Sequence, residues 1–388
     1  MIRPIMCVVL LAAVLLTTGC WDRTEINDLA FDMGTAFDLT EKGELQASIQ
    51  IALPQQAGMI GGNSQKDKFF VLTASGKNHI ALQKQLQKKL SRQLFTSHRG
   101  VIFISERLAR RGLDDVLDVF THDPHNRLRT YIMVVKDQDA KNIVQVRYPF
   151  EEGPSEAVRE AESMGGQLSV TLRDFFIAAS SEGANPVTAV IHPEIPDGKI
   201  EREMFRFTGA AVFKGLKLAG FLNEKETDGL LWLTGRMGHS RITAALPEGY
   251  GNVGMVLIGA QRKITFMGSG GKVKFNVLLT GEGDLFENNS RLDVSNMQNL
   301  RIAQKALEKE VEKQVRDCLF KIQKQYKSDV AGFGGVLYRS HPRKWKQIKN
   351  KWDKVFPEAE ITVAVKLNLR DTGVAGPPLQ LKEKEIVN

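Results

Sequence analysis

Histidine and cysteine are the residues of this chain best suited to metal or nucleophilic chemistry, and there are seven and three of them in 388 residues. His122 and His125 flank Asp123 and Pro124, so two imidazoles and a carboxylate lie close together in the sequence. A zinc set needs about four such ligands, and neither a cysteine nor a second acidic cluster completes this one. The segment is therefore interpreted as a loop with a helix-capping aspartate, and no metal site is predicted.

Signatures of common enzymes are missing from the sequence. It has no Gly-x-Ser-x-Gly elbow for a nucleophilic serine. Ser75-Gly76-Lys77 follows a predicted strand but lacks the spaced glycines of a phosphate loop, and Gly268–Gly271 lies between two predicted strands as a turn. No pair of carboxylates has a spacing that indicates acid–base catalysis. We expect no catalytic residues and no cofactor, and hence a protein that is not an enzyme.

Cys20 is the one residue with a specific chemical prediction. Residues 1–19 contain a single charge, Arg3, then an apolar run from Ile5 to Leu16 and small residues before Cys20. This pattern is typical of a signal peptide, and the run is shorter than the roughly 20 apolar residues that span a bilayer. The stretch from Leu16 to Cys20 resembles the bacterial lipobox, with Thr17 where leucine is usual. Cys20 is predicted to be lipidated and to anchor the chain; the alternative is an ordinary signal peptide with a chance cysteine.

The remaining cysteines predict no disulfide. Cys7 is removed with the signal peptide and Cys20 is acylated, so Cys318 is left alone in the mature chain. Cys318 lies on the apolar stripe of a predicted helix. It is therefore expected to be a small buried residue rather than a nucleophile.

Positive charge is concentrated near the end of the chain. The formal net charge is +8, and residues 301–356 hold 15 Lys or Arg against 6 Asp or Glu. One interpretation is a solvated helix face; the other is a surface that meets anionic phospholipid or an acidic partner. Nucleic acid is not an expected partner for an exported, lipid-held protein.

Hydrophobic patterning divides the mature chain into two regions. In residues 20–190, strands and helices alternate, among them strands from Leu29 to Leu39 and from Leu45 to Leu53 and a helix from Asn78 to Leu94. This alternation predicts a mixed α/β region with parallel βαβ units. From Glu182 to Arg202 the sequence shows no regular hydrophobic pattern, and five Gly or Pro residues cluster there. This segment is the predicted domain boundary. Residues 203–375 are predicted as an α+β domain with one long helix, Asn296 to Lys327, against a sheet. In the same domain, Asn223 and Glu226 have the spacing of a capping box at the start of a helix. The fold class is therefore α+β and multidomain.

Several motifs resemble one family, the Ger(x)C lipoproteins that form the C subunit of spore germinant receptors. They are Gly19-Cys20-Trp21-Asp22-Arg23, Ser97-His98-Arg99 before an apolar strand, Gly209–Lys214, Gly220–Trp232, Gly332-Phe333-Gly334, His341–Lys346 and Trp352–Pro357. They occur in the family's order from Cys20 to about Thr372. Ala331 departs from the bulky residue that many members carry.

The resemblance implies a function. Such proteins are one of three subunits of a receptor in the spore inner membrane, held at its outer face by the lipid on Cys20, and the other two, the A- and B-type subunits, are integral membrane proteins. The family is not known for enzymatic activity, and whether its members contact the germinant stays open. Two alternatives are weighed against this reading, a solute-binding lipoprotein of a transporter and an exported lipoprotein enzyme.

Overall fold

The computed structural model describes residues 23–53, 68–123, 126–164, 168–194, 204–268 and 272–370. The predicted signal peptide 1–19, the lipidation residue Cys20, His125 and part of the turn Gly268–Gly271 lie outside these ranges.

Thirteen strands are formed within the described ranges. They are β1 Leu29–Leu39, β2 Leu45–Ala52, β3 Phe69–Gly76, β4 Gln93–Phe95, β5 Val101–Ser105, β6 Tyr131–Val135, β7 Val187–Glu194, β8 Met204–Lys214, β9 Lys217–Leu222, β10 Ser240–Ala245, β11 Gly251–Phe266, β12 Lys274–Ser290 and β13 Glu360–Leu369.

The α-helices of the described residues are α1 His79–Gln87, α2 Glu106–Arg111, α3 Asp114–His122, α4 Lys141–Gln145, α5 Pro154–Ser163, α6 Leu172–Ser180, α7 Glu224–Thr234, α8 Met297–Leu319, α9 Phe333–Ser340, α10 Pro342–Ile348 and α11 Trp352–Val355. A π-helical segment, Phe320–Gln325, continues α8.

The first sheet has the strand order β3-β2-β1-β5-β6-β7-β8-β9, and β4 pairs with one end of β1. Its four central strands, β1, β5, β6 and β7, are parallel, whereas the outer strands pair antiparallel. The predicted βαβ units are confirmed. Helices α4 and α5 cover one face, and α1, α2, α3 and α6 cover the other. Burial on both faces explains why β5 and β6 are apolar almost throughout.

The second sheet has the order β10-β11-β12-β13. Strands β11 and β12 form a long hairpin, and β13 returns from the end of the chain to pair parallel with β12 over ten residue pairs. Helix α8 packs across the inner face through Ala303, Leu307, Val311 and Val315, all fully buried. The mixed α/β first region and the α+β second region with a long helix on a sheet are therefore confirmed.

Two local predictions are wrong, and a third is met with a change of geometry. The helix predicted from Asn78 to Leu94 ends at Gln87, because the Gln87 side chain bonds to the backbone of Arg92 and Leu94 and turns the chain into β4. The long helix, predicted to end at Lys327, continues to Gln325, but it has π geometry after Leu319. Strand β7 lies within the segment from Glu182 to Arg202 that was predicted to be irregular.

Strand β7 also bears on the domain boundary. It pairs antiparallel with β8 along its whole length, from Val187 opposite Val212 to Glu194 opposite Met204. The first sheet therefore includes strands from both sides of residues 190–203. The division of the mature chain into 20–190 and 203–375 stays a prediction.

Candidate functional site

The most developed polar site is built around Asp329, a fully buried carboxylate just after the π-helical segment. Its Oδ1 accepts hydrogen bonds from the backbone N–H groups of Gly332, at 2.8 Å, and Phe333, at 3.1 Å. Its Oδ2 accepts from the Gly334 N–H at 2.8 Å and from the Trp352 indole Nε1–H at 3.1 Å. Four donors thus converge on one side chain.

Local sequence explains this geometry. Helix α9 starts at Phe333, and the first N–H groups of a helix have no partner within it. A carboxylate three to five residues earlier can accept from them and also interact favourably with the helix dipole. Gly332 supports the turn because its φ of 81° is a left-handed value that glycine adopts without strain.

The N-terminal region meets this site through the turn after α6. The Asn185 N–H donates to the Asp329 backbone carbonyl at 2.9 Å. Glu182 accepts from the Trp345 indole at 3.4 Å and from Lys349 Nζ at 2.6 Å. These contacts join the end of the first region to the C-terminal motif. We name residues 182–185, Asp329, Gly332–Gly334, Trp345 and Trp352 the Asp329 joint.

Burial and hydrogen bonding act on Asp329 in opposite directions. Burial raises the pKa of this carboxyl to about 6, and the Gly334, Phe333 and Gly332 N–H groups, followed by the Trp352 indole, hold it down. The four groups bonded to the Asp329 carboxylate are all hydrogen-bond donors. The carboxylate therefore orients a turn, a helix start and an indole, which is a structural task.

A second set of contacts reinforces the joint. The Tyr326 hydroxyl donates to the Phe221 carbonyl at 2.7 Å and accepts from its N–H at 3.1 Å. The Ser328 hydroxyl donates to the Phe213 carbonyl at 2.5 Å. Strands β8 and β9 of the first sheet are therefore bonded to the segment that follows α8. The predicted capping box is present at the start of α7, where Asn223 and Glu226 bond reciprocally.

Gly183 offers a direct test of packing in the joint. A Cβ there would lie 2.2 Å from the Trp345 ring, and its φ is 78°. We expect Gly183→Ala to lower the free energy of unfolding by about 3 kcal/mol, combining backbone strain of about 1 kcal/mol with overpacking of about 2 kcal/mol. Chemical denaturation measures it.

The matched control is Gly215→Ala, which shares a positive φ of 59° but has nothing within 4 Å of its Cβ position. It bears the backbone strain alone, so about 1 kcal/mol is expected. Equal losses for the two variants would contradict the packing role of Gly183.

A buried ion pair in the first region was missed by the sequence reasoning. Arg99 and Asp32 are both buried and lie 2.8 Å apart, with Thr35 bonded to both. His98, singled out in the Ser-His motif, is exposed beside this pair and its ring packs edge-on against Phe31. The spacing of 67 residues between Asp32 and Arg99 gave no signal of their contact.

Glu162 makes stability depend on pH. The side chain is buried, and Oε2 accepts from the Ser169 hydroxyl whereas Oε1 has no hydrogen-bond partner in the structure as described. Burial raises its pKa from 4.5 to about 6. The folded state therefore binds more protons than the unfolded state between these values, so stability falls as pH rises through this window.

We expect Glu162→Gln, which has no titrating group, to remove this loss. The free energy of unfolding of the variant minus that of the wild type should rise by about 2 kcal/mol from pH 4 to pH 7.5, at about 1.36 kcal/mol per pKa unit. Unfolding measured at both pH values in both proteins checks this. If the difference in unfolding free energy between the two proteins were the same at both pH values, the prediction would be contradicted.

The remaining predicted residues do not form a catalytic or metal set. His122 lies at the end of α3, and its Nδ1 is 3.0 Å from the Asp118 carbonyl. Across the described ranges no group of three His, Cys, Asp or Glu residues is placed to hold a metal ion. Cys318 is fully buried, as predicted, and burial raises the pKa of its thiol. A helix both long and apolar enough to cross a bilayer is not found among the residues described.

The fold and the Asp329 joint define a class of protein: an α+β chain with two sheets, whose most developed polar site holds the two regions together. Residues 22–193 match the family described as spore germination protein N-terminal domain, and residues 208–373 match that described as spore germination B3/GerAC like, C-terminal. Together the two matches account for most of the chain.

Relatives from Bacillus subtilis (strain 168) are similar over almost their whole lengths. The putative spore germination protein YfkR is 30% identical, over 95% of this chain and 96% of its own. Spore germination protein KC is 27% identical, over 99% of each. The crystal structure of the GerBC protein shares the fold, with a TM-score of 0.58 at 20% identity over 87% of this chain and 97% of that chain. The chain belongs to the Ger(x)C family of spore germination proteins.

Proposed function

We propose that this protein is a non-catalytic, lipid-anchored subunit of a nutrient germinant receptor. It acts at the outer face of the spore inner membrane, together with two integral membrane subunits. The observation that carries the proposal is the end-to-end similarity to spore germination proteins, which covers both regions of the chain.

Three further features support it. The Asp329 joint has donors only around its carboxylate, as suits a scaffold. The segment from Leu16 to Cys20 carries the lipobox pattern before the first described residue, Arg23. The two sheets are also different in kind: the first has nine strands with a parallel centre, and the second has four strands covered by one long helix. A solute-binding lipoprotein would instead need two similar lobes around a cleft.

The test is to recover the tagged protein from detergent-solubilised spore inner membrane and to identify its partners by mass spectrometry. Two integral membrane subunits in comparable amounts are expected, and an untagged strain is the control. Recovery of a transporter permease in their place would contradict the proposal and favour the solute-binding reading.

A further inference from the structure

A groove of about 800 Å³ lies between the edge strand β10 and helix α8. Its β10 side is formed by Ala244 to Pro247, and its α8 side includes Ile302, Ala306 and a series of charged residues. Ile302 is 37% exposed, and the residues Ala244 to Pro247 on the other side of the groove are all apolar. The groove therefore combines an apolar floor with a charged rim.

Strand β10 also has unused backbone groups along the edge that runs into this groove, which Ala245 lines. The Leu246 N–H donates to the Gly251 carbonyl, which identifies these two as a hydrogen-bonded pair of the antiparallel ladder. Pairs alternate along such a ladder, so the peptide groups of Arg241, Thr243 and Ala245 point away from β11. Within the part of the chain that the structure describes, β10 has β11 as its sole strand neighbour. An exposed edge of this kind is a template for one more strand.

The α8 wall carries an unbalanced row of positive charge. Lys305, Lys309 and Lys313 recur every four residues on one side of the helix and are exposed. None of the three has an acidic partner within 4 Å in the described ranges. Of the three acidic groups of the rim, Glu310 and Glu312 are paired with Lys225 and Arg316, and Asp317 lies at the end of the row, four residues after Lys313. The positive charge of the row is therefore only partly balanced, which leaves ammonium groups for a ligand.

The strand edge and the lysine row together indicate which kind of ligand fits the groove. An extended segment added beside β10 would pair its peptide groups with the strand edge and turn alternate side chains toward α8, while the others point to the opposite face of the sheet. Carboxylates among the α8-facing side chains complement the lysine row. A second copy of this chain is disfavoured, because its own β10 would bring Arg241 to the same cationic wall.

We propose that the β10–α8 groove binds an extended acidic segment of one of the integral membrane subunits, as a fifth strand of the second sheet. The inference rests on the proposed function, since it takes its partner from the receptor complex. It also assigns part of the basic excess in residues 301–356 to a protein contact instead of a lipid contact.

The first test compares recovery of the membrane subunits by tagged variants with that by the tagged wild type. Lys305→Glu/Lys309→Glu/Lys313→Glu is expected to reduce recovery at least about tenfold, because attraction becomes repulsion. Thr243→Pro removes an outward N–H on an edge strand, where proline is tolerated, and the same reduction is expected. Unchanged recovery with both variants would overturn the proposal.

Matched controls come from the same chain. Thr243→Ala keeps the N–H and should bind like the wild type. Lys344→Glu/Lys346→Glu/Lys351→Glu reverses three charges of the same basic segment near α10 and α11 and should also bind normally. Loss of recovery in these controls as large as in the groove variants would show a nonspecific charge effect and overturn the assignment to the groove.

The second test needs no partner subunit. The purified mature chain with Cys20→Ser is titrated with a labelled peptide alternating glutamate and valine, and with one alternating lysine and valine. The acidic peptide is expected to bind at least tenfold more tightly, and Thr243→Pro should abolish the difference. Equal affinities, binding unaffected by Thr243→Pro, or self-association through β10 would overturn the proposed groove. Failure of the wild type to recover membrane subunits would instead contradict the proposed function, and with it the identity of the partner.

Discussion

Replacing Asp329 with alanine is expected to lower the free energy of unfolding by about 3–5 kcal/mol. The substitution leaves three backbone N–H groups and the Trp352 indole N–H buried without their acceptor, and each unsatisfied buried group costs about 1–3 kcal/mol. Solvent reaching the gap offsets part of that sum. Denaturant unfolding at pH 7.5, where the carboxyl is ionised, measures the loss.

Two other substitutions sharpen this result. Asp329→Asn is isosteric but directs an amide NH₂ at donors, so it too is expected to destabilise by more than 2 kcal/mol. Asp353→Ala removes an exposed carboxylate paired with Lys214 at 3.2 Å, and less than about 1 kcal/mol is expected. If Asp329→Ala were no worse than Asp353→Ala, the joint would not hold the two regions together.

Replacing Cys20 with alanine is the second large effect we expect. The variant should leave the membrane fraction, with at least a tenfold fall in the bound share, because two or more acyl chains are lost at about 0.8 kcal/mol per buried CH₂. The germination response should fall as well, since a tether raises the effective concentration near partners by factors of about 10² or more. Membrane fractionation and the loss of spore refractility on adding nutrient measure the two effects.

Cys7→Ala is the matched control, because Cys7 lies within the apolar run that is predicted to be removed with the signal peptide. Anchoring and response should both match the wild type. A normal response from a released Cys20→Ala protein would show that the anchor is dispensable. Retention of that variant on the membrane would show that Cys20 is not the site of attachment.

Sequence patterning predicted the elements whose signals are local. The alternation in β1 and β2, the capping box at Asn223 and Glu226, and the buried stripe of α8 each lie within one short segment. Such signals depend on neighbouring residues, so they can be seen without knowing the fold. The Ger(x)C motifs also drew attention to Gly332, Gly334 and Trp352 before their positions were known.

Features that depend on distant residues could not be predicted in this way. Strand β7 is bordered by prolines and glycines, and it becomes a strand because β6 and β8 pair with it on either side. The role of Asp329 was not predicted, because a single aspartate before a glycine is compatible with many roles. Its place in the joint depends on contacts with Asn185 and Trp352, which are distant in the sequence. The spacing from Asp329 to Gly332, three residues, was the one available hint.

The Asp329 joint also determines when the protein can finish folding. Asn185, on one side of the joint, is synthesised well before its partner Asp329, which lies 144 residues later in the chain. Strand β13, which completes the second sheet, starts only at residue 360. If the chain is exported amino end first, as the proposed anchor implies, its first region reaches the far side of the membrane before the joint and the second sheet are complete. Contacts of such long range slow folding. Throughout that delay the proposed amino-terminal anchor would keep the half-formed chain at the membrane surface, beside the proposed partner subunits.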